Sequence, residues 1–160
     1  MINMSTPYNK IYSNVLSKFH SYEIPIMTSE EIEEYLYDFL ISAIPKFYIC
    51  RINLNDKDDE LKQFNCDLSD LEIEIISNYL LLEYLDSTYI RTPTLLKVNL
   101  SSNDFHAFSN ANQLDKLLSM HDTLLSENEG LLSRYAWFSL TKDKNSIPNT
   151  FNNTNYKKNT

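Results

Sequence analysis

The sequence predicts a mostly α-helical domain of about four helices, with one short extended or β segment and a flexible C-terminal tail. Three observations carry that expectation. Residues Leu68 to Leu85, LSDLEIEIISNYLLLEYL, are apolar almost all the way round a helix. The spacings Thr28-x-x-Glu31 and Ser69-x-x-Glu72 are those of capping boxes, in which the hydroxyl and the carboxylate each satisfy one orphan amide of a first turn. One glycine and five prolines in 160 residues are too few turn formers for an all-β sandwich.

Thr6-Pro7 reads as a helix start, a cap followed by proline in the first turn. Ile11, Val15 and Phe19 recur at helical spacing, flanked by Tyr8, Tyr12 and Leu16, so this helix is expected to end near Phe19. Ser21 to Met27 contains Pro25 and reads as an extended connection. Thr28 then opens a second helix through Ile32, Leu36, Phe39, Leu40, Ala43 and Ile44, which Pro45 ends. Glu30, Glu31, Glu33 and Glu34 crowd its first turns, where the helix dipole favours negative charge. Lys46 to Leu54, KFYICRINL, alternates roughly and predicts one strand or an extended edge segment. Asn55 to Glu60 reads as an acidic turn, and Leu61 to Phe64 as one more helical turn.

The central helix is expected from Asp70 to about Tyr89, with Leu68 and Ile73 placed for a hydrophobic staple and Thr92-Pro93 as its stop. Ile73, Ile76, Tyr79, Leu80 and Tyr84 keep one stripe. Ile75, Leu81, Leu82 and Leu85 fill most of the rest, leaving Glu74, Ser77, Asn78 and Glu83 as a polar edge. Such a helix must be enclosed, by its own domain or by neighbouring copies. The expectation is that its apolar surface exceeds what one protomer hides, so that copies lean on one another. Thr94 to Asn99 fits either a short helix or a strand, and Ser101, Ser102, Asn103 and Asp104 are strong cap formers. Ala111, Leu114, Leu117, Leu118, His121, Leu125, Leu132 and Tyr135 then keep a helical stripe to about Trp137, with Gly130 a weak point. The apolar pattern stops at Thr141. Residues 1–140 therefore read as the helical domain and 141–160 as a flexible polar tail.

The formal charge of −8 speaks against non-specific binding to nucleic acid or anionic membrane. It is uneven: Glu23 to Asp86 holds 16 acids and 4 bases, whereas Ser87 onward holds 6 acids and 8 bases. An acidic face on one monomer explains this. So does head-to-tail contact between the acidic half of one copy and the more basic half of the next, the geometry that closes rings. No apolar run approaches the roughly 20 residues of a membrane span, and the N-terminus lacks a secretory pattern, so a soluble intracellular product is expected.

The chain carries no catalytic constellation. His20, His106 and His121 lie on separate elements, and His121 on an apolar stripe reads as a core or interface residue. Asn53, Asn55, Asp56, Asp58, Asp59 and Glu60 concentrate oxygen ligands without the central glycine of a calcium loop. With Gly130 the sole glycine, phosphate-cradling loops are ruled out. Cys50 and Cys66 are too far apart for a redox or zinc knuckle and read as free thiols. No catalytic, cofactor or metal residue is assigned, and an enzyme is not expected. Eleven Tyr and eight Phe fit either half-buried rings around one core or an interface rich in tyrosine.

Two segments carry a resemblance. FNCDLSDLEIEIISNYLLLEYLDS, Phe64 to Ser87, resembles a stretch in small virion proteins of tailed phages that infect low-GC bacteria. NLSSNDFHAFSNANQLDKLLSMHDTLLSENEGLLSRY, Asn99 to Tyr135, is similar to the segment that follows it there. The landmarks are Phe64, Asn65, Asp67 and Leu68 entering the central helix, then Ser101, Ser102, Asp104, Phe105, Ser109, Ala111 and Asn112 entering the last. These proteins resemble head–tail connectors, also called adaptor or neck proteins. The resemblance implies a homo-oligomeric ring in the virion, assembled in the host cytoplasm and docked between the portal protein and the next neck or tail protein. DNA would pass through its lumen without specific binding, and no membrane is involved. The family pattern often has a basic last helix, whereas here Lys116 and Arg134 stand nearly alone against Asp115, Asp122, Glu127 and Glu129. The alternatives are a tail or baseplate component, and a small acidic regulator that binds one host protein.

Overall fold

The computed structural model describes residues 5–18, 27–91 and 107–144, without the side chains of 107–114 and 139–144. In chain order the elements are β1 (Thr6–Pro7), α1 (Tyr8–Lys18), α2 (Ser29–Ala43) with a 3-10 turn at Ile44–Lys46, β2 (Lys57–Asp58), β3 (Gln63–Phe64), α3 (Asp70–Leu85) with a π-helical extension at Asp86–Arg91, and α4 (Ala107–Lys144). The fold is mostly helical, four helices beside a small antiparallel sheet of order β1-β3-β2. Both capping boxes form: Thr28 and Glu31 exchange bonds at the start of α2, and Ser69 and Glu72 at the start of α3. Pro45 falls inside the 3-10 turn that ends α2.

Every residue of α3 from Glu72 to Leu85 is buried except Glu74 and Glu83. The cover comes from the same chain, with α1, α2 and α4 all packed on α3. The expectation that copies must shield this helix is thus corrected: three helices around one are enough. Of its supposed polar edge, Ser77 and Asn78 are buried and Glu74 and Glu83 half-buried. Ser77 donates to the Ile11 carbonyl at 3.4 Å. Asn78 accepts from Lys18 Nζ at 2.6 Å and donates to Asn128 at 3.1 Å. Glu74 accepts from the same Lys18 ammonium at 2.6 Å and from Asn14 at 3.0 Å, and Glu83 pairs with Lys46. A polar group in this position costs free energy unless it is bonded, and these are bonded.

The aromatic excess is absorbed largely inside. Tyr84 packs edge-to-face with Phe39, Tyr35 and Tyr89 at ring separations of 5.6, 6.1 and 5.9 Å. Tyr8 does so with Phe64 at 5.1 Å, and Phe47 with Tyr135 at 5.2 Å. Such pairs contribute about 0.5–1.5 kcal/mol each beyond their buried area.

Four expectations are corrected. Thr6-Pro7 is an edge strand, with Thr6 opposite Phe64, and α1 starts at Tyr8. The Thr6 hydroxyl is spent on tertiary structure: it donates to the Cys66 carbonyl at 2.9 Å and accepts the Leu68 amide at 2.8 Å. Lys46–Leu54 forms turns and bends, not a strand: Phe47 and Leu54 anchor it in the core while Tyr48 is exposed. Residues 57–64, read as acidic turn and helical turn, make the β2–β3 hairpin instead. The final helix continues past Trp137 to Lys144, so the first residues assigned to the polar tail are helical. The Ser21–Met27 connection up to residue 26, the Thr92-Pro93 stop, the Thr94–Asn99 segment, the caps at 101–104 and the tail from 145 lie outside the described residues.

Replacing Thr6 by Val removes the hydroxyl that accepts the buried Leu68 amide. The expected cost is about 2 kcal/mol, against about 1 kcal/mol for Thr28→Ala at the exposed cap of α2. Urea unfolding followed by circular dichroism checks the order. A second outcome concerns alkali. Burial above all raises the phenol pKa of Tyr8, Tyr12 and Tyr135 above their ordinary value. An acid whose folded pKa is raised keeps its full stabilising contribution below its unfolded pKa, about 10, and loses it as pH climbs toward the folded value. Tyrosinate absorbance should therefore rise in two phases, exposed rings first, the buried three only as the fold opens above about pH 10.

Candidate functional site

The landmark residues divide between structure and surface. Phe64 is fully buried in β3, and Leu68 is buried at the junction into α3. Asn65 donates its side-chain amide to Asp56 at 2.9 Å, and Asp67 is exposed beside Leu68. These four hold the hairpin to the helix and present no converging functional groups. Ser101, Ser102, Asp104 and Phe105 lie outside the described residues. Ser109, Ala111 and Asn112 fall in the first turns of α4, where the backbone alone is described. Among the described residues, no group of three His, Cys, Asp or Glu is placed to hold a metal ion, and no helix is long and apolar enough to cross a membrane.

What the structure does offer is α4. At 38 residues it spans about 57 Å, against about 24 Å for the 16 residues of α3. The shorter helix cannot cover the longer. Contact is made by Leu124, Leu125, Asn128, Leu131, Leu132 and Tyr135, all buried or half-buried. Two polar clasps fix this register. Asn128, wholly buried, accepts from Asn78 at 3.1 Å and donates to the Ile75 carbonyl at 3.4 Å. Tyr135 donates its hydroxyl to Glu72 at 2.7 Å and accepts the Arg51 amide at 3.0 Å. Glu72 thereby serves two elements, since its other oxygen accepts the Ser69 amide at 2.8 Å. Burial raises the pKa of the nearby Cys50 thiol, and of Cys66, which keeps both free cysteines in the unreactive thiol form.

Sequence reasoning missed Asn128, although it sits on the stripe between Leu125 and Leu132, where a helix of this period must turn it inward. His121, expected as a core or interface residue, is half-buried and faces its neighbour Asp122 at 3.4 Å. Gly130 lies on the exposed side, where an added Cβ would meet nothing within 4 Å.

Along the rest of α4 large apolar groups meet solvent. Leu118 and Met120 are 38% and 49% exposed, Trp137 and Phe138 66% and 59%. Tryptophan, phenylalanine and methionine are the types that interfaces enrich, and here they stand exposed in two pairs on one helix.

Tyr135→Phe leaves the Arg51 amide and one Glu72 oxygen without this partner. We expect a loss of about 2 kcal/mol in denaturant unfolding, with amide exchange quickening first over Leu124–Tyr135.

Comparison with known protein families, with characterised proteins and with solved structures finds no match to this chain.

Proposed function

We propose that this chain is a structural protein that acts by assembling, as a head–tail connector in the neck of a tailed-phage particle. The observation that carries the assembling role is the apolar surface of α4, a helix more than twice as long as the one it packs on. The neck itself is supported by the resemblance of Phe64–Ser87 and Asn99–Tyr135 to connector-type virion proteins.

The mechanism is geometric. Protomers stand side by side and bury Leu118, Met120, Trp137 and Phe138 against their neighbours, and the ring presents a platform to the portal on one side and the tail on the other. Asp115, Asp122, Glu127 and Glu129 are exposed on α4. Turned toward a lumen, Asp115, Asp122 and Glu129, which share one side of the helix, repel phosphate and let DNA slide, the inverse of the cationic contacts that create affinity.

Native mass spectrometry and electron microscopy of the purified protein, alone and with portal rings, test the proposal. A closed ring is expected, and Trp137→Ser with Phe138→Ser should weaken its association roughly 30-fold, as losing about 2 kcal/mol at an interface hot spot does. A chain that stays monomeric beside the portal and is missing from purified particles overturns the reading.

A further inference from the structure

One side of α4 is left open by the rest of the chain and is complementary to itself. At the helical step of about 100° per residue, Lys116, Met120, Thr123, Glu127, Arg134 and Phe138 fall within a sector of about 60°, well to the side of Asn128 and the contact with α3. All six are exposed. Their spacing of threes, fours and sevens is the seam of a helix that lies along another helix. Two open grooves of about 510 and 500 Å³ follow the same side. The first reaches Lys116, Met120, Thr123 and Glu127, the second Glu127, Gly130, Leu131 and Arg134.

Two observations say what fits this side. Glu127 and Arg134 have no ion pair among the described residues. They stand two turns apart, about 10 Å, beyond the i+4 spacing at which charges on one helix pair. Gly130, the sole glycine of the chain, sits mid-helix, where only proline is less favourable, and an added Cβ there would meet nothing within 4 Å. Nothing in the protomer makes use of the missing side chain, whereas a second helix crossing close above it does. A second copy of α4 answers both. Laid antiparallel with Glu127 opposite the neighbour's Arg134, it forms that ion pair twice, about a two-fold axis between Gly130 and Leu131. Leu131 of each copy then meets the space over the other's Gly130, and Phe138 comes opposite Thr123. In a parallel pair in register, Glu127 would face Glu127 and Arg134 face Arg134, which repels. A parallel stagger of seven residues would make the pair once and leave the contact open to a further copy.

We propose that α4 carries a two-fold, antiparallel homodimer contact centred on Gly130 and locked by reciprocal Glu127–Arg134 ion pairs. It rests on the assembling role of α4 and not on a place in the neck. A two-fold contact closes on two copies, so a ring must grow from other faces of the pair.

Sedimentation equilibrium of the full chain, with native mass spectrometry, tests the contact. A reversible dimer is expected. Glu127→Arg alone, or Arg134→Glu alone, brings like charges together twice and should weaken the dimer roughly 30-fold. Both substitutions in one chain restore the two pairs with their signs exchanged, and dimerisation should return to within a few-fold of the original. Mixed together, the two single variants should form heterodimers, since each supplies the charge the other lacks. Gly130→Leu should weaken the dimer by about tenfold or more while the circular dichroism of the monomer is unchanged, leucine being the better helix former at an open position. A doubly substituted chain as weak as the single variants overturns the proposal. So does a dimer indifferent to all of these changes, or a chain that stays monomeric up to its solubility limit. If the dimer behaves as described but purified phage particles lack the chain, the neck reading alone is lost. If rings form with the portal and the charge exchanges leave them untouched, this contact alone is lost.

Discussion

The burial of α3 along most of its length is the constraint around which the rest of the molecule is arranged. A polar side chain on its buried faces has no water to turn to, so another element must answer it. Ser77 is answered by α1, Asn78 by Lys18 and Asn128, and Glu72 by Tyr135. These bonds do what apolar contact cannot, since apolar contact tolerates rotation and sliding while a paired amide does not. They select one register for α1 and one for α4.

The edge of the fold shows the same economy. The sheet is minimal, two residues per strand, and gains its value from where it pins the chain. Thr6 clasps the segment leading into α3, and the Tyr8 amide donates to the Lys62 carbonyl at 2.9 Å, so the N-terminus and the hairpin hold each other. Tyr8 and Phe64 pack just beneath.

How legible this was in the sequence depends on the range of the interaction. The capping boxes were readable because their rule is written in three residues. So was the helix count, from the period of the apolar positions. The hairpin was not, because its turn has no glycine where the chain turns left-handed. Lys62 takes the left-handed conformation, φ 52°, where glycine is customary, and the Asp58 side chain accepts the amides of Glu60 and Leu61 to close the loop. KFYICRINL misled for the opposite reason. Its alternation is real, but it records which residues of a looped segment reach the core, and among the described residues no strand pairs with it. Thr6 looked like a helix cap because a hydroxyl beside proline has that local meaning; its partners are some sixty residues away. The cleft lined by Tyr8, Tyr12, Glu34, Tyr37 and Lys62 was invisible for the same cause, being assembled from α1, α2 and the hairpin, segments distant in sequence. The α4 surface was half visible: the stripe was found, but which of its leucines the short α3 would leave uncovered is a question of relative length in space.

One arrangement ties local to global behaviour. The carboxylate that closes the first turn of α3 also receives the hydroxyl of Tyr135 on α4. Lifting α4 away thus strips a partner from the residue that keeps the start of the central helix wound, and fraying there loosens the grip on α4. A single side chain thus couples the winding of the central helix to the seating of the last one, two events some sixty residues apart in sequence.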